Sequence, residues 1–287
     1  MRKRHSPCLF TPSKAGGCGN SLQAFAGRRY RGFYARGLLT AVTLGAGAAI
    51  LFAGALVQSA AGFGFGLFAV PALLVTGFTL PQAVMLCVVG SALQKIVAVY
   101  ALRRHVPWRS LRPLIVSGLT TLPIGFWLMH RLTMAGRDAA GVVVAVLILG
   151  LLLFRRAAAP TGRGSVHPAW GIAAGAISGV LNGLANIGGP PVVLWSLAHQ
   201  WSNPRLRVTT LAQSLVFVPF QVVVISLVFG HSALVALAWG VLMSPLVVLG
   251  TRAGLYLGGR VPVHHLRLGM ECLLVLMAVS AARPLWS

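Results

Sequence analysis

Acidic side chains are almost missing from this chain. Its 287 residues hold two, Asp138 and Glu271, against 24 Lys and Arg, for a formal net charge of +22. Charged residues of both signs together make up 9%, whereas a soluble domain carries about 25%. That is too little polar surface to cover a water-facing fold. Two acids so placed also leave no nucleophile–base–acid set, so hydrolytic chemistry of that kind is excluded. Cation pathways are usually lined by Asp or Glu. Their shortage turns the substrate expectation toward an anion or a neutral molecule.

Other parts are missing too. The four cysteines, Cys8, Cys18, Cys87 and Cys272, form no CxxC pair, so no zinc or disulfide framework is visible. Cys87 and Cys272 sit in apolar runs, where a free thiol behaves as a small hydrophobe. The histidines lie at termini or segment ends, and no two make a metal-ligand helix pair with acidic support. No Walker motif is present, so ATP does not drive this chain. "GFGFG" at 62–66 is not a dinucleotide fingerprint, because Leu67 occupies the final glycine position. The expectation is a protein that is not an enzyme and has no cofactor and no metal.

What the chain has in abundance is apolar sequence, 57% of it, at a mean hydropathy of +0.83. Residues 208–229 and 232–251 contain no Asp, Glu, Lys or Arg. Each approaches the roughly 20 residues that cross a bilayer as helix. Nothing alternates with period two, so a transmembrane barrel is excluded. The reading is an all-α polytopic integral membrane protein. In that setting the positive charge between apolar runs sets topology and touches anionic lipid, and no nucleic acid is expected.

Residues 1–37 form a basic, disordered arm in this reading, cytoplasmic, with Gly, Ser and Pro between the cations. "RRYRGF" at 28–33 has a faint likeness to a twin-arginine signal, but the run after it is long enough to stay as a span. Apolar stretches follow at about 38–61, 67–79, 82–102, 111–129 and 138–154. A polar linker, 155–168, separates them from stretches at about 169–185, 190–200, 206–229, 232–251 and 266–282. The order of lengths is the same in 38–154 and 169–287: long, short, long, long, long. Residues repeat as well. "GALVQSAAGFGFG" (54–66) matches "GAISGVLNGLANIGG" (175–189), setting Gly54 with Gly175 and Gly62 with Gly183. "TLPIG" matches "MSPLV", setting Pro123 with Pro245 at nearly the same separation. This predicts two homologous repeats, a common transporter design.

The short second stretch of each repeat is expected to be a re-entrant or broken partner of the helix before it, leaving about eight crossings. The arm, 103–112 and 155–163 then share the more basic, cytoplasmic face, and Arg131, Arg137, Arg205 and Arg207 fall on the other. On that arithmetic the repeats run parallel; full spanning by the short stretches would invert them.

The glycine clusters carry the functional reading. Broken helix inside a membrane is tolerated only where protein or a water-filled cavity satisfies the backbone. Pro190 and Pro191 are placed to begin a half-helix. Such a start offers free N–H groups and a positive dipole end, suited to an anion. The bland alternative is close packing through small residues. Gly62, Gly64 and Gly66 in the first copy, with Gly188, Gly189 and Pro190 in the second, are the expected site backbone.

Polar side chains inside the spans complete it. Gln58 and Ser59 precede the first break; Asn182 and Asn186 flank the second. Gln94 and Lys95 lie in the third stretch, Gln213 and Ser214 in its counterpart, with Ser91 aligned against Ser214. Each is either helix–helix glue or a ligand contact. Lys95 lies eight positions before Arg103, about 12 Å along a helix. Either its stem snorkels to the interface or it attracts an anionic substrate. Glu271 either takes up a proton for coupling or pairs with Arg267 one turn earlier. Asp138 reads as a helix cap, and tryptophans such as Trp108, Trp170 and Trp201 as an interfacial belt.

A glycine-rich break before a proline-containing apolar segment, repeated and ending in "IGGPP", resembles the sulfite exporter TauE/SafE family of bacterial membrane proteins. The resemblance covers about 46–282, with "NIGGPPVVLW" (186–195) its most specific part. The first copy departs from it, with Phe63 and Phe65 where family members often carry glycines. The resemblance implies an inner-membrane secondary transporter, often an exporter, of sulfite, sulfonates or related small anions. A passive anion channel and a non-transporting scaffold or assembly factor are the alternatives.

Overall fold

The computed structural model describes residues 41–61, 64–157 and 167–258. The arm, Gly62, residues 158–166 of the linker, and the 266–282 stretch with Arg267 and Glu271 lie outside the described residues. Among those described, every regular element is helical: α1 (Ala41–Ala61), α2 (Phe65–Val75), α3 (Leu80–Gly90) and α4 (Ala92–Ala101). A single 3-10 turn, Arg103–His105, leads to α5 (Trp108–Ala135) and α6 (Arg137–Ala157). After the linker come α7 (Pro168–Ala185), α8 (Gly189–Ala198), α9 (Asn203–Phe229) and α10 (His231–Gly258). Among the described residues, four stretches are long and apolar enough to cross a membrane: Leu80–Ala101, Trp108–Ala135, Pro204–Phe229 and His231–Tyr256. The chain is therefore a multi-pass helical membrane protein.

The first of these stretches joins α3 to α4 through Ser91. Its hydroxyl donates back to the Cys87 carbonyl at 2.5 Å, which competes with the helical ladder and marks the joint. Within the α3 segment, Thr79 and Gln82 form a capping box, Gln82 accepting from the Thr79 N–H at 3.0 Å.

Small residues decide which helices touch. Gly175, Gly179 and Gly183 recur every fourth residue and so share one face of α7. A methyl group at any of them would strike α5 backbone at Leu114, Gly118 or Leu122. The two helices meet backbone to backbone, as small-xxx-small faces allow, and Thr121 donates across to the Ala176 carbonyl at 2.8 Å. On the other flank Gly250 and Gly254 of α10 lie against Phe52, Ala55, Leu56 and Ser59 of α1.

These contacts also fix directions. Numbers rise together along α5 and α7, and along α1 and α10, so each pair is parallel. Gln213 bonds Ser178 and Gln221 bonds Asn182, so α9 runs with α7. The chain reverses between α9 and α10 at Gly230, whose φ is +57°, a conformation glycine adopts without strain. Hence α1 and α7 point in opposite directions. The short helices double back: α2 sets Phe65 and Ala69 beside Gly54, and Leu73 and Phe78 beside Gly47. In α8, Trp195 returns to Gly171 of α7.

This corrects the expectation of parallel halves. Because α2 retraces α1, the pair does not carry the chain across the bundle, and the face assignment shifts by one crossing from there. Arg205 lies over Trp201 at 4.4 Å, and Trp201 packs in the same apolar cluster as Val99, Val106 and Leu111. Arg205 thus shares an end with the Arg103–His105 turn, on which α9 also packs. The described start of α1 lies at the other end.

Candidate functional site

The two hairpin tips meet. A Cβ at Gly66 of α2 would collide with the Asn186 carbonyl in the α7–α8 break, so only glycine allows this approach. Beside the contact is a cavity offering about 40 Å³ to the centre of a water-sized sphere. On that measure a single water needs about 10–15 Å³, so the space suits a species of a few heavy atoms.

Each wall comes from a different element. Gln58 of α1 and Gly64, Phe65, Gly66 and Leu67 at the start of α2 form one side. Ser91 and Lys95 enter from the α3–α4 joint, and Thr210, Leu211 and Ser214 from α9. Asn182, Asn186, Ile187, Gly189 and Pro190 close it from the second break. The breaks are made by backbone: Gly64 has φ +106°, and Asn186 ends α7 at φ +55°. Asparagine tolerates that left-handed conformation better than most residues.

Two helix starts therefore face the cavity, but they differ in donors. Proline has no N–H, so Pro190 and Pro191 leave Gly189 as the one donor among the first three residues of α8. Phe65, Gly66 and Leu67 of α2 keep all three of theirs. The sequence offered Pro190 and Pro191, directly after the glycines of the second copy, as a half-helix start. In donors the first copy is the richer, and the prolines shape α8 without adding hydrogen bonds.

Among the described residues, Lys95 is the one charged side chain lining the cavity. It is 4% exposed, and no ion pair holds it among the described residues. Its stem is inside the bundle, which is not a snorkelling arrangement. Gln58 is also buried, and its Oε1 has no hydrogen-bond partner.

Among the other residues expected at the site, four are buried or packed without lining the cavity. Ser59 spends its hydroxyl on the Ala55 carbonyl at 2.6 Å and faces Gly254. Gln94 is buried with an unpartnered Oε1. Gln213 donates to Ser178 at 3.0 Å. Gly188 caps α8 and is tied by both its N–H and its carbonyl. Gly62 and Glu271 lie outside the described residues. Sequence reasoning missed Thr210, whose signal was its place one turn before Ser214 on one face of α9. It also missed Ser178 and Gln221, and the apolar lining of Phe65, Leu67, Ile187 and Leu211. Among the described residues no group of three His, Cys, Asp or Glu side chains is placed to hold a metal ion.

Trp108 and Trp170 are exposed, as a belt requires. Trp195 is not: it is buried, with His199 at 4.6 Å and Trp201 at 5.0 Å between ring centroids.

No curated protein and no solved structure matches the chain. The family model described as Sulfite exporter TauE/SafE matches residues 46–281, which takes in every described element from within α1 onward. The chain belongs to the TauE/SafE sulfite exporter family, a family of membrane transporters of sulfur anions.

Proposed function

We propose that the cavity between the two hairpin tips is the substrate site of a secondary transporter that exports sulfite, an organosulfonate or another small anion across a bacterial inner membrane. The observation that carries this is Lys95, a buried cation with no counter-ion among the described residues, facing two helix starts. A lone charge in a membrane interior is costly. An anion offsets that cost and takes the free N–H groups of α2. The helix starts add favourable dipole ends.

Reciprocal packing supports a two-repeat architecture with inverted halves. The first helix of each half packs on the fourth of the other, α1 on α10 and α7 on α5. The crossing units among the described residues are then α3–α4, α5, α6, α9 and α10, while α1–α2 and α7–α8 are hairpins that enter from opposite faces. Alternating access would work around their meeting point. Counting the described residues alone, the end carrying Arg103, Arg104, Arg109, Arg112, Arg205 and Arg207 is the more basic and so the cytoplasmic one by the positive-inside rule, which reverses the face expected for the start of the chain.

The test is a flux screen in proteoliposomes over sulfite, sulfonates, carboxylates and sulfate, with an imposed proton gradient. Saturable sulfite or sulfonate flux that an uncoupler abolishes supports the reading. Flux of cations alone, or unsaturable flux that follows voltage only, overturns it.

A further inference from the structure

We infer that Ser178 is a positioning residue of this site: it does not line this cavity and acts by holding the α7–α8 break in the shape that presents α8 to the ligand. The inference rests on the proposed function for its ligand, but not for its geometry.

Ser178 is fully buried, and its hydroxyl is used to capacity. It donates to the Gly188 carbonyl at 2.6 Å, ten residues on and across the break. It accepts from Asn182 Nδ2 at 3.3 Å and from Gln213 Nε2 at 3.0 Å. One donor and two acceptor positions are all a serine has. Asn182 then accepts the Gly188 N–H at 3.4 Å through Oδ1, so Gly188 is gripped at both ends of its peptide geometry. Gln221 adds a bond from Nε2 to the Asn182 carbonyl at 2.9 Å. Two α9 side chains thereby tie the break to the helix that supplies Thr210 and Ser214. Gly188 has no room for a side chain beside Asn182 and Ser178. Gly189 and Pro190, which do line the cavity, follow directly.

Ser178→Ala tests this with two readouts. In amide exchange on the full-length protein, the 186–190 segment should exchange about tenfold faster, while 114–122 of α5 stays unchanged. In proteoliposomes, KM for sulfite should rise about tenfold with Vmax within twofold, since most of the three lost bonds act on the fold and only the one to Gly188 spans the break. Unchanged exchange at 186–190, or faster exchange spread evenly over α5 and α7, would show Ser178 to be ordinary core and overturns the inference. Faster exchange confined to 186–190 with an unchanged KM also overturns it, since the break would then not govern binding. If wild-type protein shows no sulfite flux, the proposed function fails, and the exchange measurement alone still decides whether Ser178 holds the break.

Discussion

Lys95 meets an anion in this account with neutral help: backbone N–H groups, Ser214 and the amides of Gln58, Asn182 and Asn186. At this scale two substitutions separate chemistry from packing. Thr210→Val keeps the shape of a buried lining residue and removes a hydroxyl that donates weakly to the Leu206 carbonyl, at 3.3 Å, and turns to the anion when one is bound. One neutral hydrogen bond is worth about 1 kcal/mol, so KM for sulfite should rise roughly fivefold with an unchanged melting temperature. Gly66→Ala puts a methyl group on the Asn186 carbonyl. Overpacking of that kind costs about 1–3 kcal/mol, and flux should fall at least tenfold as the hairpin tips separate. Gly150→Ala, at a site with open space around it, is the matched control and should leave flux intact. Equal flux in the two alanine variants would contradict the tip contact. Gln58, Lys95 and Asn182 were legible in the sequence because a polar residue stands out in an apolar run. Phe65, Leu67, Ile187 and Leu211 were not, since an apolar residue against a cavity reads like one against lipid. Ser178 hid for a different reason: a serine inside a helix ordinarily bonds its own backbone one turn earlier, and only the fold brings Gly188 to it.

At the scale of elements, glycine and proline announced both breaks, but nothing local told whether a short helix after a break continues or doubles back. That depends on what the helix packs against, and Phe65 and Ala69 against Gly54 settle it for α2. The sequence set Gly54 with Gly175, yet the two pack differently: Gly54 lies against α2, whereas Gly175 lies against α5. Gly175, Gly179 and Gly183 are thus a helix-packing face, the bland reading of glycine. A branched residue should be intolerable there. Gly179→Val must part α5 from α7, because its Cβ already meets the Gly118 carbonyl and the Thr121 hydroxyl. A helix-melting curve in detergent by circular dichroism should show a drop of several degrees or loss of the folded protein. An unchanged melting temperature would mean that the two helices do not meet as closely as described.

For the whole molecule, the composition made the membrane legible and the charge balance pointed to an anion, but the face assignment depended on the two hairpins. Residue counting placed Arg205 and Arg207 opposite the Arg103–His105 turn. The doubled-back α2 and α8 bring them to one end, where Arg205 stacks on Trp201. Cysteines introduced at Arg104 and Arg207 should label with an impermeant maleimide from the same side of the membrane, and one at Ala135 from the other. Labelling of Arg104→Cys and Arg207→Cys from opposite sides would restore the parallel arrangement. The measurement that tests the central claim most directly is counterflow of labelled sulfite in proteoliposomes, wild type beside Lys95→Gln. The account predicts saturable exchange in the wild type and its loss in Lys95→Gln, with equal protein in both membranes. Undiminished exchange in Lys95→Gln would contradict it.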